Sequence, residues 1–435
     1  MQENQPQLSV TQRLLRACVA SCADAAQQST LEQPTPATEV ERVLDEGPID
    51  WPACARASIR HGVAPLMADR LESCANRALV PAEAMACFRR MLEANALRNR
   101  VMYRECGRLL RSLEIAGIRC LLLKGAGLAL TVYAQPQMRN FADIDLLVAE
   151  SDLEAASAVA CSLGFLPGFD ETDSCLLHRT FVAHCPEDIL TATLPLEYET
   201  EVTPEIVGRH RHRIVFEIHR GLFRDVTGIA RRVDSAPLLR SPQQVNLLDG
   251  TPGLMPSPEV MLVHLCDHAA GHGYAKLGFF ADLILVLNRW GTAISWDLVA
   301  DLAARYEASG RVYRCLEFIQ REFEVPLPPE ALRKPARATG SRSQRPLHLT
   351  DVFEGEREFG PGIVLQGLLQ AQSARQFAIA LHHILMPPPV LMRRYYGVRH
   401  PMALTALYLC RPFLLTGHLA QVLLRRARRQ SHPAK

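Results

Sequence analysis

No C-x-x-C pair occurs in the 435 residues, although 13 cysteines are scattered from Cys18 to Cys410. An odd count without that spacing argues against a zinc ribbon or a disulfide framework. Several of these cysteines fall in helical segments and read as small core residues in a reducing cytoplasm. The start, MQENQPQLSV, has neither the basic residues nor the apolar stretch of a secretory signal. A membrane-length apolar run is also missing, because the most apolar late segment, Met402 to Leu424, is interrupted by Arg411-Pro412 and His418. It reads as a buried or surface helix. Neither sign of charge dominates: 48 basic and 46 acidic side chains leave a formal charge of +2, too little to argue nucleic-acid or membrane binding for the whole chain. Basic residues cluster at 333 to 345 and in the terminal RRARR, but without interleaved aromatics, so nucleic acid is not an expected partner. A cytoplasmic globular protein with no membrane span is the expectation.

What is present is a change of hydrophobic period along the chain. Up to about residue 100 the spacing predicts helices: Gln12 to Ala26, Trp51 to Arg60, and a long helix opening at Pro81, a residue suited to a first helical turn. Met102, Cys106, Leu109, Leu110 and Leu113 form one apolar stripe on that helix, which ends at Gly117. Short apolar runs follow. "IRCLLL" (118 to 123), "DIDLLV" (143 to 148), "FVAH" (181 to 184) and "RIVFEIHR" (213 to 220) read as strands. Between the first two, "GLALTVYA" reads as a short helix, and Ser151 with Glu154 reads as a capping box for the helix "LEAASAVACSLGF". Helices return with "SPEVMLVHLCDHAAGH", capped by Ser257 and Pro258, then "KLGFFADLILVLNRW" and "SWDLVADLAARYEA". The expected organisation is a helical region over 1 to 100, an α/β core over 101 to 235, a helical domain over 236 to 325, a basic Pro/Ser-rich linker over 326 to 350, and a helical C-terminal region over 351 to 435.

In a strand, residues two apart share a face, so Asp143 and Asp145 project together while Ile144, Leu146 and Val148 take the core side. Two carboxylates held together raise one another's pKa unless a cation sits between them, and Mg²⁺ favours such ligands. The plainer alternative has Asp143 capping the strand and Asp145 paired with a surface arginine. Glu217, between Phe216 and Ile218, is a third acid in an apolar strand, where an unpaired charge is costly to bury. If the two strands are neighbours, three carboxylates converge. Lys124-Gly125, with Gly127 close behind, ends one strand and opens a helix, a turn that lets backbone N–H groups approach a phosphate. Arg139 is a candidate contact for a triphosphate, or else a surface loop arginine. His264, His268 and His272 recur at i, i+4 and i+8 on one helix face. They are candidates for packing, for lining a substrate with His219 and Asp282, or for zinc, although the glutamate of H-E-x-x-H is absent.

"LLLKGAGLAL", "MRNFADIDLLV", "VFEIHR" and "HLCDHAAGHGYAKLGFFADLILVL" resemble, in that order, the motifs of the uncharacterised bacterial nucleotidyltransferase family within the DNA polymerase beta-like superfamily. The resemblance spans roughly residues 45 to 310, and its specificity lies in the ordered combination. It implies an α+β, mostly helical fold with a small mixed sheet flanked by helical regions. Gly125 matches the glycine of the turn, Asp143 and Asp145 the metal-binding pair, and Glu217 the third carboxylate; Lys124 and Arg139, candidates for phosphate contact beside the acidic trio, match further positions of the family. The turn reads Gly125-Ala126 where the wider superfamily has Gly-Gly or Gly-Ser. The resemblance further implies Mg²⁺ (or Mn²⁺) as cofactor and transfer of an NMP, most readily AMP from ATP or another NTP, to an acceptor hydroxyl on a small molecule, peptide or protein. Pyrophosphate would leave, and Glu217 would help remove the acceptor proton. Two other readings stay open: a non-catalytic nucleotide- or partner-binding descendant, and a histidine-based metallohydrolase.

Overall fold

A period of 3.6 sets most of the chain into helices, and a short central stretch with a period of two supplies the sheet. The computed structural model describes residues 8–24, 38–168, 178–186, 212–223, 235–333, 346–355, 374–387, 389–398 and 400–431. The architecture is α+β and mostly helical. Four N-terminal helices, α1 (Val10–Asp24), α2 (Glu39–Asp45), α3 (Trp51–Arg60) and α4 (Ala64–Ser73), lead to α5 (Ala82–Ile115). The helix α5 runs through position 100 unbroken. Its stripe Met102, Cys106, Leu109, Leu110 and Leu113 is buried, and Gly117, at φ +70, turns the chain out of it. Pro81 is the N-cap of α5, with extended ψ, and the helix proper begins one residue later.

The sheet contains β1 (Cys120–Leu122), β2 (Asp143–Val148), β3 (Leu166–Pro167), β4 (His178–His184) and β5 (Arg213–His219). Its order is β1-β2-β5-β4-β3, and it is mixed: β2 and β5 are parallel and the other pairs antiparallel. The helix α6 (Lys124–Thr131) leaves β1 directly, and α7 (Leu153–Ser162) follows β2. On the core side of the sheet Phe165 stacks on Phe216, ring centroids 5.0 Å apart. A second sheet, the hairpin β6 (Gln243–Asn246) and β7 (Pro252–Met255), was not foreseen. The helices α8 (Pro258–Gly271), α9 (Leu277–Trp290), α10 (Trp296–Arg305) and α11 (Ser309–Phe323) follow. Beyond them lie α12 (Leu349–Glu354), α13 (Ala374–Leu385), α14 (Pro389–Tyr396) and α15 (Pro401–Ser431).

The expected caps divide in outcome. Ser257 accepts a hydrogen bond from the Val260 N–H and caps α8 with Pro258 at its first turn. The box expected from Ser151 and Glu154 does not form. Ser151 lies within a 3₁₀ turn over Glu150–Asp152 and bonds Asp152 Oδ1 at 3.0 Å. The N-cap of α7 is Asp152, without a side-chain cap bond, and Glu154 is taken by Arg179. A charge-assisted bond across to β4 outcompetes a local cap. All cysteines among the described residues are free, most of them buried, as expected for core residues. Part of the expected linker, 334–345, lies outside the described residues; its flanks are packed, with Val325, Ala331 and Leu347 buried. Among the described residues no helix is long and apolar enough to cross a membrane.

Candidate active site

Strand register makes the first contact. In the parallel pair β2 and β5, Asp145 stands opposite Glu217 and Leu147 opposite His219. Because side chains alternate, Asp143, Asp145, Glu217 and His219 rise from one face while Ile144, Leu146, Phe216 and Ile218 are buried behind it. A carboxylate oxygen from each of Asp143, Asp145 and Glu217 lies within 4.8 Å of the other two. The antiparallel strand β4 adds His178, whose Cα pairs with His219, and Thr180, whose Cα pairs with Glu217.

Lys124 and His219 reach into this cluster. Lys124 Nζ is 2.9 Å from Asp145 Oδ1, and His219 Nε2 is 2.9 Å from the same oxygen. His219 Nε2 is also 3.4 Å from Glu217 Oε2, and His178 Nε2 is 3.4 Å from Glu217 Oε1. Burial, together with the charges of Asp145 and Glu217, pushes the Asp143 carboxyl up to about 7. For Asp145 burial works against ionisation, but Lys124 and His219 overrule it and hold the group well below the usual carboxylate range. Glu217 behaves similarly, with burial outweighed by the bond from His219 and by His178. Burial disfavours the proton on His219, yet Asp145 and Glu217 lift its pKa above the ordinary imidazole value. Three carboxyls thus outnumber the one lysine ammonium among them, and Asp143, at about 7, is the one that holds its proton to the highest pH. A divalent cation suits that donor set, because it would replace the proton and relieve the repulsion.

Lys124 is held in place by an unusual backbone. It is the first residue of α6 and sits at φ +39, in the left-handed region that non-glycine residues avoid. The neighbouring glycine answers to packing: a Cβ on Gly125 would lie 2.6 Å from Phe141 Cβ, so only glycine lets α6 touch the loop before β2. That loop is clamped from α5. Asn95 Nδ2 donates to the carbonyls of Gln137 (2.6 Å) and Arg139 (3.1 Å), and Asn99 Nδ2 to those of Pro136 (2.9 Å) and Arg139 (3.2 Å). The buried guanidinium of Arg98 donates to the carbonyls of Phe141 and Ala142. Asp143 is the next residue, so these three side chains fix where β2 begins.

Arg139 and Asp282, both sequence candidates, lie together. Arg139 Nε and Nη2 each donate to one oxygen of the Asp282 carboxylate at 2.7 Å, and Tyr133 Oη donates to Oδ1 at 2.7 Å. Asp282 is 1% exposed, and this fork ties α9 to the loop before β2. The three helix-face histidines run along α8 to its C-cap, His272. His264 packs edge-on against Phe223, and His268 lies edge-on to Phe279 at 5.2 Å. Burial and the charge of Lys124 drive the His268 pKa well below the ordinary imidazole value, which keeps the ring neutral. Among the described residues, the side-chain groups spaced to hold a metal are Asp143, Asp145, Glu217 and His178, Glu217, His219. The histidine trio of α8 is not one of them.

A sheet with an Asp-x-Asp strand, a parallel neighbour that sets a glutamate opposite the second aspartate, and a Gly turn entering a helix has the build of a nucleotidyl-transferring core. The chain belongs to the family of uncharacterised nucleotidyltransferases, whose family model matches residues 47–324. No curated protein and no solved structure matches the chain.

Sequence reasoning missed His178, Tyr133 and the trio Asn95, Arg98 and Asn99. For His178 the signal was there: extending the alternation of "FVAH" back three residues places it on the face of Glu217. The trio recurs at i, i+3 and i+4, a polar patch on an otherwise apolar helix face, but nothing local says which loop it would grip.

Proposed function

We propose that this chain transfers an NMP, AMP from ATP in the first instance, to a hydroxyl acceptor with release of pyrophosphate. One observation carries the reading: Asp143, Asp145 and Glu217 bring their oxygens within 4.8 Å of one another from adjacent parallel strands. Held by these three residues, Mg²⁺ or Mn²⁺ would screen the triphosphate and lower the pKa of the acceptor hydroxyl. In the transfer, the acceptor oxygen bonds to the α-phosphorus as the bond from that phosphorus to the bridging oxygen breaks. Glu217, kept ionised by His219 and His178, takes the acceptor proton at an Oε atom. Lys124 neutralises charge at Asp145 and places an ammonium where negative charge grows on the leaving group. Arg139 orients the loop before β2 through Asp282 and reaches a phosphate only by exchanging that partner.

The acceptor is a small molecule, a peptide or a protein, and the nucleotide enters as the cation complex. Incubation of α-labelled ATP with cell extract and Mg²⁺ or Mn²⁺ should yield a labelled acceptor and pyrophosphate with the wild type and neither with Asp143→Asn. A second reading is favoured by Lys124 itself, whose ammonium already occupies the Asp145 carboxylate, as it would in a descendant that binds nucleotide without reacting. Stoichiometric ATP binding with no pyrophosphate release from any extract would select it.

A further inference from the structure

The far end of the chain is chemically unlike the rest. From Phe359 to Lys435 there are ten Arg or Lys residues and no Asp or Glu, which leaves 38 basic against 46 acidic side chains before them. A near-neutral total therefore conceals an acidic body joined to a strongly basic end.

Within that end, α13, α14 and α15 pack around Arg411, which is 6% exposed. Its Nε donates to the Ile384 carbonyl at 2.6 Å and its Nη1 to Tyr396 Oη at 2.9 Å. Leu404, seven residues earlier on the same face of α15, is buried with it. The opposite face is apolar and open: Met402, Leu409 and Phe413 are 77%, 73% and 78% exposed. Their spacing of i, i+7 and i+11 puts them in one stripe. Phe377 and Leu381, one turn apart on α13, are exposed as well. A helix that carries an exposed apolar stripe and a run of arginines, yet is not apolar enough to span a bilayer, has the make-up of an interfacial helix.

We propose that α15 docks on an anionic membrane surface, with Met402, Leu409 and Phe413 entering the acyl boundary and the net positive charge of 359–435 drawing the chain to lipid phosphates. The charge selects this partner. An RNA backbone would satisfy the arginines and leave the apolar stripe in water. A second copy of the chain would bury the stripe but bring together two segments of like net charge. The surface is separate from the carboxylate cluster, so its test stands whether or not the chain transfers nucleotide.

The test floats the full chain with vesicles of phosphatidylcholine alone, and with vesicles containing about 30% phosphatidylglycerol. Binding is expected on the anionic vesicles only, weakened about tenfold or more by Leu409→Gln with Phe413→Gln, and likewise by raising salt from about 0.1 M to about 0.5 M. Circular dichroism of the double variant should match the wild type, since both side chains are exposed. The proposal is overturned by absence of vesicle binding, by equal binding to neutral vesicles, or by binding that the double variant leaves intact. It is overturned equally if the wild type is a dimer that the double variant splits without either binding vesicles, or if the chain retains an RNA homopolymer and no vesicle.

Discussion

Asp145 and Glu217 face each other across two parallel strands, and His219, two residues beyond Glu217, reaches back to Asp145 at 2.9 Å. The acid that balances worst in this arrangement is their neighbour Asp143, which has burial and two like charges against it.

Asp143→Asn should therefore abolish transfer while stabilising the cation-free protein. The Asp143 pKa in the fold, about 7, lies above its unfolded value of 3.8. Its contribution favours the fold fully below the unfolded value and is lost as pH rises through about 7. At about 1.4 kcal/mol per pKa unit, the penalty at alkaline pH is on the order of a few kcal/mol. Urea denaturation of chelator-treated protein should show wild-type stability falling between about pH 4 and pH 8 and a flatter profile for Asp143→Asn. A less stable variant at about pH 8 would contradict the assignment.

Lys124→Met removes the cation closest to Asp145 and leaves three carboxylates to His219 and His178. Loss of one partner of a buried pair costs about 3–5 kcal/mol. Much of that loss should return on adding millimolar Mn²⁺, read as a rise in melting temperature larger than the same ion gives the wild type. An ion effect no larger than in wild type would argue against a cation between these acids.

Asp282→Asn breaks the fork on Arg139 inside the protein, again at about 3–5 kcal/mol. The paired change Arg139→Met with Asp282→Leu should recover most of the stability, since an apolar pair replaces a buried ionic one. Its transfer kinetics separate two roles for Arg139: a raised KM with kcat kept points to phosphate contact, and a lowered kcat to placement of the loop before β2.

Gly125→Ala should destabilise by about 1–3 kcal/mol, because the new methyl meets Phe141 Cβ at 2.6 Å. Adding Phe141→Ala vacates that ring but leaves the contacting Cβ in place, so the double variant should regain little. If it recovered fully, the ring and not the backbone approach would set the limit. Thermal unfolding of the four proteins in the cycle measures the difference.

Much of the site is legible in the sequence because strand geometry is local. Alternation alone puts Asp143 and Asp145 on one face, and the embedded Glu217 announces itself as a charge in an apolar run. The parallel pairing that brings Glu217 to Asp145 needs tertiary structure, as does the grip of Asn95, Arg98 and Asn99 on carbonyls some forty residues away. The glycine turn was legible as a turn, whereas its packing against Phe141 was not, since no sequence distance encodes a 2.6 Å approach. Ser151 misled because a capping box is a local pattern, and Arg179 offered Glu154 a stronger partner from another strand.

The clamp on residues 136 to 142 reassigns authorship of the site. The first aspartate of β2 is aimed by amide and guanidinium groups of a helix that begins far upstream, and the loop is braced from the other side by Asp282 of a helix far downstream. A fragment trimmed to the sheet alone would keep every acid and lose the jig that aligns them, so the acids depend on helices at both ends of the core.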